Sequence, residues 1–315
     1  MRAARITAPG QVRLEDTARP EPATGEVRVA VEGCGVCGSN LPLWEGKPWF
    51  DYPLDPGAPG HEGWGRVEAV GDNVTSVSKG DRVAFLSSRA FAEFDTCQAA
   101  QLVTLPPELD GSPFPAEPLG CAMNVLARSD IREGHTVAVV GIGFLGALLT
   151  QLAVGTGARV VALSRRVFSR DTALRLGAEA AYDLDDAAVE AARENTGGEG
   201  FDRVIECVGL QRPLEVASAL TRVRGRLVVA GYHQDGPRTV DMQDWNWRGL
   251  DVINAHERDP AVYRQGMCDA VEAVTSGLLD LDAVLTDRYR LDELGNALED
   301  LRCRPEGFLK GVVLL

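Results

Sequence analysis

Two cysteines stand three positions apart, Cys34 and Cys37, in the segment VEGCGVCGSNLP at residues 31–42. Such a pair can be half of a zinc knuckle, a redox couple, a disulfide, or one metal ligand beside an unrelated thiol. A knuckle needs a second pair of ligands at short spacing, and none follows. A redox couple is expected to precede a helix in a βαβ unit, whereas this segment lies among predicted strands. The rest of the chain must decide among these possibilities.

A glycine-rich motif occurs near the middle of the chain, as Gly141-Ile-Gly143-Phe-Leu-Gly146. It follows a predicted buried strand at 135–141 and opens a predicted helix at 144–158, which is the context of a dinucleotide-binding fingerprint. The first glycine permits a tight turn, the second lets a pyrophosphate approach the backbone, and the third lets helix and strand pack closely. The motif therefore predicts cofactor contacts from Gly141, Gly143, Phe144, Leu145 and Gly146.

The residues after the next predicted strand, 159–164, indicate which dinucleotide is preferred. An NAD site normally places an acidic side chain there to accept a hydrogen bond from the ribose 2′-hydroxyl. Here Ser164 is followed by Arg165 and Arg166. A small hydroxyl and arginines suit a 2′-phosphate, which attracts charge-assisted donors, so we predict NADP(H) in preference to NAD(H).

Composition excludes several classes of partner. The 32 basic residues are outnumbered by 46 acidic ones, and the net charge of −14 over 315 residues argues against nucleic acid and anionic membranes. No apolar run reaches the roughly 18 residues of a membrane span, and the amino terminus lacks a signal peptide's apolar core. Seven cysteines without an export signal suggest reduced thiols, so we expect a cytoplasmic protein.

Local patterns divide the chain into two kinds of segment. Residues 1–115 contain short β-type runs punctuated by glycine and proline. From about residue 122, predicted strands alternate with helices, and later strands include 201–209 and 225–232. This alternation predicts an α/β fold with a doubly wound parallel sheet.

Five segments occur in an order and spacing that resemble the zinc-dependent medium-chain dehydrogenase/reductase family, which includes alcohol, sorbitol and threonine dehydrogenases. The segments are GVCGSN, PGHEGWGRVEAVGDNV at 59–74, GDRV at 80–83, AEPLGCAMN at 116–124 and GIGFLG. The resemblance implies a GroES-like β-rich catalytic domain, 1–122 with 258–315, around a Rossmann domain, 123–257. It also implies a homodimer or homotetramer.

The same resemblance implies a catalytic zinc site. Cys37 and His61 match the first two ligands, and Glu117 matches a carboxylate third ligand, with Cys121 as its rival. Glu62 resembles a residue that can bind zinc or swing aside. Ser39 matches the hydroxyl that passes on the substrate proton, and Lys310 matches a basic residue that reaches the cofactor pyrophosphate. These matches assign catalytic roles to Cys37, Ser39, His61 and Glu62.

The sequence also departs from the family pattern. Asn40 stands where an aspartate usually partners the ligand histidine, and Pro42 replaces the histidine that ends the proton relay. His233 and His256, which follow late Rossmann strands, are candidates to contact substrate or replace that relay, or are ordinary loop histidines. No lobe of four closely spaced cysteines follows GDRV, so we expect one zinc ion per chain.

The expected function is hydride transfer between NADP(H) and a secondary alcohol or ketone, or a polyol-type substrate, assisted by zinc. One alternative is a zinc-free NADPH-dependent reductase of the same fold, since Asn40 and Pro42 depart from the pattern. A second alternative is a non-catalytic NADPH-binding sensor or scaffold. The expected partners are a small-molecule alcohol or carbonyl compound and further copies of the chain, without nucleic acid or membrane.

Overall fold

The amino-terminal third of the chain forms antiparallel strands, and a computed structural model describes them together with the rest of residues 1–315. The strands are β1 (Arg2–Ala8), β2 (Gln11–Asp16), β3 (Glu26–Gly35), β4 (Glu62–Val70), β5 (Arg82–Leu86), β6 (Phe94–Gln98) and β7 (Leu102–Thr104). A short helix, α1 (Leu41–Trp44), lies between β3 and β4, and α2 (Ala116–Ser129) follows β7. In β3 the alternate residues Val27, Val29 and Val31 are buried, as the two-residue period of a strand requires.

The middle of the chain alternates strands with helices. Its elements are β8 (Thr136–Val140), α3 (Phe144–Gly155), β9 (Arg159–Leu163), α4 (Val167–Arg175), β10 (Ala180–Tyr182), α5 (Asp186–Glu194), β11 (Phe201–Glu206), α6 (Gln211–Leu220), β12 (Thr221–Val229), α7 (Met242–Arg248) and β13 (Asp251–Asn254). The six strands are parallel and lie in the order β10-β9-β8-β11-β12-β13. This is the doubly wound dinucleotide-binding order, with its switch point between β8 and β11. The predicted parallel sheet is therefore confirmed.

The carboxyl-terminal segment returns to the first sheet. It contains α8 (Pro260–Thr275), β14 (Asp287–Arg290), α9 (Leu294–Cys303) and β15 (Gly311–Leu314). β15 pairs antiparallel with β3 and parallel with β14, which completes a seven-stranded sheet ordered β14-β15-β3-β4-β5-β7, with β6 also paired to β3. Both chain ends thus build one β-rich unit, as expected for a GroES-like domain.

The chain folds into two compact units. The first comprises Met1–Gly120, Met267–Thr275 and Leu285–Leu315, and the second comprises Cys121–Gly266 and Ser276–Val284. Each has its own apolar core. The domain limits at residues 122 and 258 stay a prediction, and the compact units divide the carboxyl-terminal segment more finely. The longest helix, α8, has 16 residues, and none of the helices is long and apolar enough to span a bilayer.

Two predicted elements end earlier than their apolar patterns suggest. The helix expected over 144–158 stops at Gly155, because Gly157 has a φ of +81°, a left-handed conformation that ends helices. The strand expected over 201–209 stops at Glu206. Its carboxylate accepts hydrogen bonds from the backbone N–H groups of Val208 at 2.7 Å and Gly209 at 2.8 Å, and these bonds turn the chain away from the sheet.

Candidate metal and dinucleotide sites

Cys37 lies just beyond strand β3, where the chain leaves the sheet in a short 3₁₀ turn at Gly38–Asn40. The carboxamide oxygen of Asn40, which is buried, accepts a hydrogen bond from the Cys37 backbone N–H at 3.2 Å. Cys34, by contrast, is fully buried within β3, and burial raises the pKa of its thiol well above the usual range. The two cysteines therefore differ in environment: Cys34 is part of the core, and Cys37 is half-buried at the turn.

His61 stands one residue before strand β4. Its Nδ1 lies 2.9 Å from the carbonyl oxygen of Pro59, so a protonated Nδ1 donates there and Nε2 is left to bind a metal. Asn40, at the position where an aspartate usually partners the ligand histidine, accepts a hydrogen bond from the Cys37 N–H in this structure. The Pro59 backbone carbonyl orients the imidazole of His61. This carbonyl is neutral, so the imidazole has no negatively charged hydrogen-bond partner at Nδ1.

A group of metal-ligand atoms converges beside these two residues. The candidate ligand atoms of Cys37, His61 and Glu62 lie within 4.8 Å of one another. Glu117, in the first turn of α2, is near enough for its charge to act on His61. Burial alone would lower the pKa of His61, but its hydrogen bond with Cys37 and the charges of Cys37, Glu117 and Glu62 raise that pKa to about 10. The set is anionic enough to hold a proton on imidazole, and it therefore attracts cations.

The residues of this group fit zinc. Sulfur, imidazole nitrogen and carboxylate oxygen are the donors that zinc binds in catalytic sites. The predicted ligands Cys37 and His61 are brought together, and Glu62, predicted as an alternate, lies with them. Glu117, predicted as the third ligand, acts on His61 through its charge from outside the 4.8 Å group.

Glu62 and Lys310 form a buried ion pair. The Lys310 Nζ lies 2.7 Å from Glu62 Oε1 and 2.5 Å from Oε2, and the two side chains keep 4% and 0% of their accessible surface. Burial alone would lower the pKa of Lys310, but the charges of Glu62, Cys37 and Glu117 raise it. Gly35 makes room for this pair, since a Cβ there would lie 1.8 Å from Glu62 Oε2. Lys310 thus contacts Glu62 here, and its contact with cofactor stays a prediction.

Three further residues from the sequence analysis have defined surroundings. Cys121, proposed as a rival ligand, has its Sγ 2.8 Å from the hydroxyl oxygen of Tyr263. Ser39 is half-buried in the same turn as Asn40, two residues after Cys37. Pro42, the position of the missing relay histidine, is buried in α1.

A cleft of about 550 Å³ opens beside His61 in the first unit. Its volume is within the range of small-molecule sites. The apolar lining comes from Leu43, Leu54, Ala58 and Pro59, and the polar lining from Asp55, Ser88 and Arg89. The candidate metal ligand His61 therefore faces a space large enough for a small organic substrate.

The three motif glycines have the geometry that a dinucleotide site needs. Gly141 has a φ of +97°, and a Cβ on Gly146 would lie 2.0 Å from the Gly141 carbonyl oxygen, so helix α3 can approach β8 only with glycine there. A Cβ on Gly143, the residue that caps α3, would meet no atom within 4 Å. That open space in front of a helix amino terminus fits a pyrophosphate. Phe144 and Leu145 form the start of the same helix.

The residues after β9 lie in a turn held by Arg170. Its Nη1 donates to the carbonyl oxygens of Ser164 at 2.7 Å and Arg165 at 3.0 Å, and to the Asp183 carboxylate at 2.9 Å. Ser164 is buried, and the side chain of Arg165 is exposed beyond it. Sequence reasoning missed Arg170, because its role depends on backbone carbonyls that no pattern reveals.

His233 belongs to a hydrogen-bond network at the carboxyl ends of β11 and β12. Its Nε2 lies 3.1 Å from the fully buried Glu206 carboxylate, and its Nδ1 accepts from Arg238 Nε at 2.9 Å. Arg238 also donates to the Gly209 carbonyl oxygen at 2.6 Å, which links the two loops. Sequence reasoning missed Glu206 and Arg238; a charged residue ending an apolar strand was the available signal.

His256 has different surroundings from His233. Its ring stacks on Tyr232, with centroids 5.6 Å apart and planes inclined by 14°. Tyr232 keeps 58% of its surface, and His256 is exposed as well. Of the two histidines, His233 holds backbone loops together, and His256 is the one whose side chain is open to a ligand.

Two protein-family models match the chain. Residues 23–112 match the family model of the alcohol dehydrogenase GroES-like domain, and residues 145–273 match that of the zinc-binding dehydrogenases. The chain is 25% identical to 2-dehydro-3-deoxy-L-galactonate 5-dehydrogenase from Pseudoalteromonas atlantica, over 91% of each protein. It is 27% identical to D-arabinitol dehydrogenase 1 from Uromyces fabae, over 89% of this chain and 87% of that protein.

A solved structure extends the comparison to three dimensions. A protein from Sinorhizobium meliloti 1021, described as a zinc-binding dehydrogenase bound to NADP, superimposes with a TM-score of 0.86 and 27% identity. The match covers 100% of this chain and 99% of that one. The fold and the ligand set define an oxidoreductase of the alcohol dehydrogenase type. The chain belongs to the zinc-dependent medium-chain dehydrogenase/reductase family.

Alanine substitutions at two motif glycines should affect cofactor binding and fold stability differently. Gly143→Ala should leave the melting temperature nearly unchanged, because its φ of −94° and ψ of −159° suit alanine and its Cβ meets nothing. It should nevertheless weaken NADPH binding by about tenfold or more, measured by fluorescence titration, because the methyl group occupies the space next to the helix amino terminus. Gly146→Ala should instead destabilise the fold by about 1–3 kcal/mol through overpacking. Equal effects of the two variants on stability would contradict this division.

The buried ion pair should be stabilising only as a pair. Lys310→Met should lower the free energy of unfolding of the metal-free protein by about 3 kcal/mol or more, because Glu62 keeps an uncompensated buried charge. Adding Glu62→Gln should recover much of the loss. The control is Lys47→Met, whose exposed partner Glu45 lies 3.5 Å away and should contribute about 0–1 kcal/mol. Urea denaturation measures all four proteins, and a Lys310→Met effect as small as the control's would disprove the assignment.

Proposed function

We propose that this protein is a zinc-dependent oxidoreductase that transfers a hydride between NADP(H) and a secondary alcohol or ketone, or a polyol-type substrate. The observation that carries the proposal is the convergence of Cys37 and His61, with the Glu62 carboxylate in the same 4.8 Å group, beside a cleft. A structural zinc site would be closed by four ligands, commonly cysteine-rich, whereas a mixed set with an open position is typical of catalysis.

Zinc would be held by Cys37 and His61, with a carboxylate from Glu117 as third ligand and Glu62 as its alternate; Cys121 ranks behind both. Bound there, the ion would act as a Lewis acid that polarises a carbonyl or lowers the pKa of an alcohol hydroxyl. The Glu62 carboxylate is already paired with Lys310, so as a zinc ligand it would have to share or give up that cation. This pairing favours Glu117 as the third ligand.

The chain's own residues orient the ligands and handle the proton. The Pro59 carbonyl fixes the tautomer and ring plane of His61. The Asn40 carboxamide holds the turn that carries Cys37. Ser39, half-buried in that turn, is proposed to accept the proton that the substrate hydroxyl loses. Because Pro42 has no titratable group, the proton must leave Ser39 by water or by the cofactor ribose.

The cofactor assignment rests on the turn after β9. Arg165 is exposed at the end of that strand, Arg166 follows it, and Ser164 supplies a hydroxyl without negative charge. Both arginines suit a 2′-phosphate, and the similar Sinorhizobium structure is described as bound to NADP. The names of the two relatives from Pseudoalteromonas and Uromyces refer to a sugar acid and a polyol, which supports a polyhydroxylated substrate class.

We also propose an oligomeric state and a cellular location. Strand β13 lies at the edge of the parallel sheet, with no partner strand on its outer side. Such an edge can pair with a second copy across a two-fold axis, so we propose a homodimer, or a homotetramer built from dimers. We propose a cytoplasmic location, because the seven cysteines are scattered along the chain and form no disulfide.

A zinc-free reductase of the same fold is the second candidate. One observation favours it: Lys310 places a cation against Glu62, which already offsets part of the anionic charge of the ligand group. In that case Cys37 would have no metal to bind, and activity would survive chelators.

Zinc binding should be stoichiometric and coupled to protons. Protein prepared without added zinc and then titrated should bind one ion per chain, and Cys37→Ala should abolish both high-affinity binding and turnover while NADPH affinity stays nearly unchanged. With the metal-free pKa of His61 at about 10, zinc must displace a proton below that pH, so zinc affinity should fall as the pH is lowered. Less than about 0.2 zinc per chain, with activity that resists chelation, would favour the zinc-free reductase.

The cofactor preference should depend on Arg165. Arg165→Ala should reduce the preference for NADPH over NADH by about tenfold or more, because a charge-assisted contact to the 2′-phosphate is lost. The matched control is Arg159→Ala, at the opposite end of β9, where the guanidinium pairs with Glu179 at 3.1 Å. The ratio of kcat/KM for the two cofactors measures the effect, and an unchanged ratio in Arg165→Ala would defeat the assignment.

A further inference from the structure

The cleft beside His61 is lined by a charged residue, Arg89, that hydride transfer does not require. Arg89 lines the cleft, and its side chain keeps 47% of its accessible surface. Its ion-pair partner is Asp95, at 3.7 Å from Arg89 Nε, which is longer than the roughly 2.7–2.9 Å of a direct charge-assisted hydrogen bond. Arg89 is therefore a lining residue of a substrate-sized cleft whose half-exposed guanidinium has only this one long ion-pair contact.

Asp95 is a weak competitor for this guanidinium. Its carboxylate accepts hydrogen bonds from the Ser87 hydroxyl and from the Thr96 backbone N–H. Asp95 is almost completely buried, and burial raises its pKa. An anionic ligand entering the cleft would meet the exposed face of the Arg89 side chain, which Asp95 does not cover.

The backbone fixes Arg89 relative to His61. Ala90 N donates to the Gly60 carbonyl oxygen at 3.0 Å, and Phe91 N donates to that of Gly57 at 3.1 Å. A Cβ on Gly57 would lie 2.1 Å from the Arg89 carbonyl oxygen, so the two loops are in close contact. Since Gly60 directly precedes His61, the guanidinium and the imidazole are carried by two loops bonded to each other. Preorganisation of this kind is what a specificity site requires.

We propose that the substrate of this enzyme carries a carboxylate or phosphate that binds Arg89, while its hydroxyl groups bind the other polar residues of the cleft. The proposal rests on the function proposed above, because it assigns a substrate class to the same site. The guanidinium matches both anions with two parallel hydrogen bonds. Asp55, also in the cleft, would repel an anion and accept hydrogen bonds from hydroxyls. Together the two charges favour a polyhydroxylated chain with one anionic end.

The test uses zinc-loaded full-length protein with NADP⁺ and three matched compounds: D-arabinitol, D-arabinitol phosphate and D-arabinonate. The wild type should show a kcat/KM at least about tenfold higher for one or both anionic compounds than for the neutral one. Arg89→Gln should lower kcat/KM for the anionic compound by about 10- to 100-fold, mainly through KM, and for D-arabinitol by less than about twofold. The comparison of phosphate with carboxylate tells which anion is bound.

Controls separate binding from folding. Arg89→Lys keeps a positive charge and should recover part of the anionic preference. Arg13→Gln, an exposed arginine of β2 outside the cleft, should change nothing. Arg89→Gln should melt near the wild-type temperature, because the loop is held by backbone bonds that the substitution leaves intact.

Two results would overturn the proposal while leaving the proposed function in place: equal turnover of neutral and anionic compounds by the wild type, or equal losses for both in Arg89→Gln. If none of the three compounds turns over, their binding to the zinc-loaded protein is measured by titration calorimetry, and that measurement tests the proposal. Binding of the anionic compounds that Arg89→Gln abolishes supports the proposal, and absence of any binding refutes it. Failure of the proposed function itself would be recognised separately, by absence of zinc and of turnover with any alcohol or ketone.

Discussion

The burial of negative charge is the constraint on which the first unit depends. Glu62 has no accessible surface, and its carboxylate lies with Cys37 and His61. A buried carboxylate without a counter-charge is strongly destabilising, so the fold must bring a cation to it. Lys310 arrives from the other end of the chain, 248 residues away, immediately before β15 pairs with β3. The return of the carboxyl terminus to the first sheet is therefore also what neutralises Glu62.

A second constraint governs where the ligand histidine lies. The segment before His61 is bonded on both sides: Gly57 N donates to the Ala4 carbonyl oxygen at 2.8 Å, and the loop at 90–91 donates to Gly57 and Gly60. Glycine at these two positions permits the contact, because a Cβ on Gly60 would lie 2.5 Å from Phe91 N. These backbone bonds thus set the position of His61, and the Pro59 carbonyl sets the tautomer and the ring plane of its imidazole.

These constraints explain what could be predicted from the sequence. The parallel sheet follows from local patterns and is confirmed. The family resemblance predicts Cys37 and His61 as zinc ligands; the structure brings their ligand atoms together, and their role as ligands stays a prediction. The hydrogen bond from the Cys37 N–H to Asn40 could not be predicted, because the donors near a side-chain amide are defined only once the turn is formed. The contacts of Lys310 and the Glu206–His233–Arg238 network depend on strand register, which joins residues distant in sequence. No local pattern encodes such pairings.

Burial and distance together distinguish charges that serve the fold from charges available to a ligand. Lys310 and Glu62 are in contact at 2.5 Å and keep 4% and 0% of their surface, so each satisfies the other and neither can turn to a third group without a large cost. Arg89 and Asp95 lie 3.7 Å apart, with 47% and 3% of their surface accessible, so the carboxylate is committed to the protein and the guanidinium is not. Backbone bonds hold the loop of Arg89 next to the candidate metal ligand His61, whereas Asp95 holds the guanidinium itself only weakly. The position of this cation is therefore better explained by binding of an anionic ligand in the cleft than by a contribution to stability.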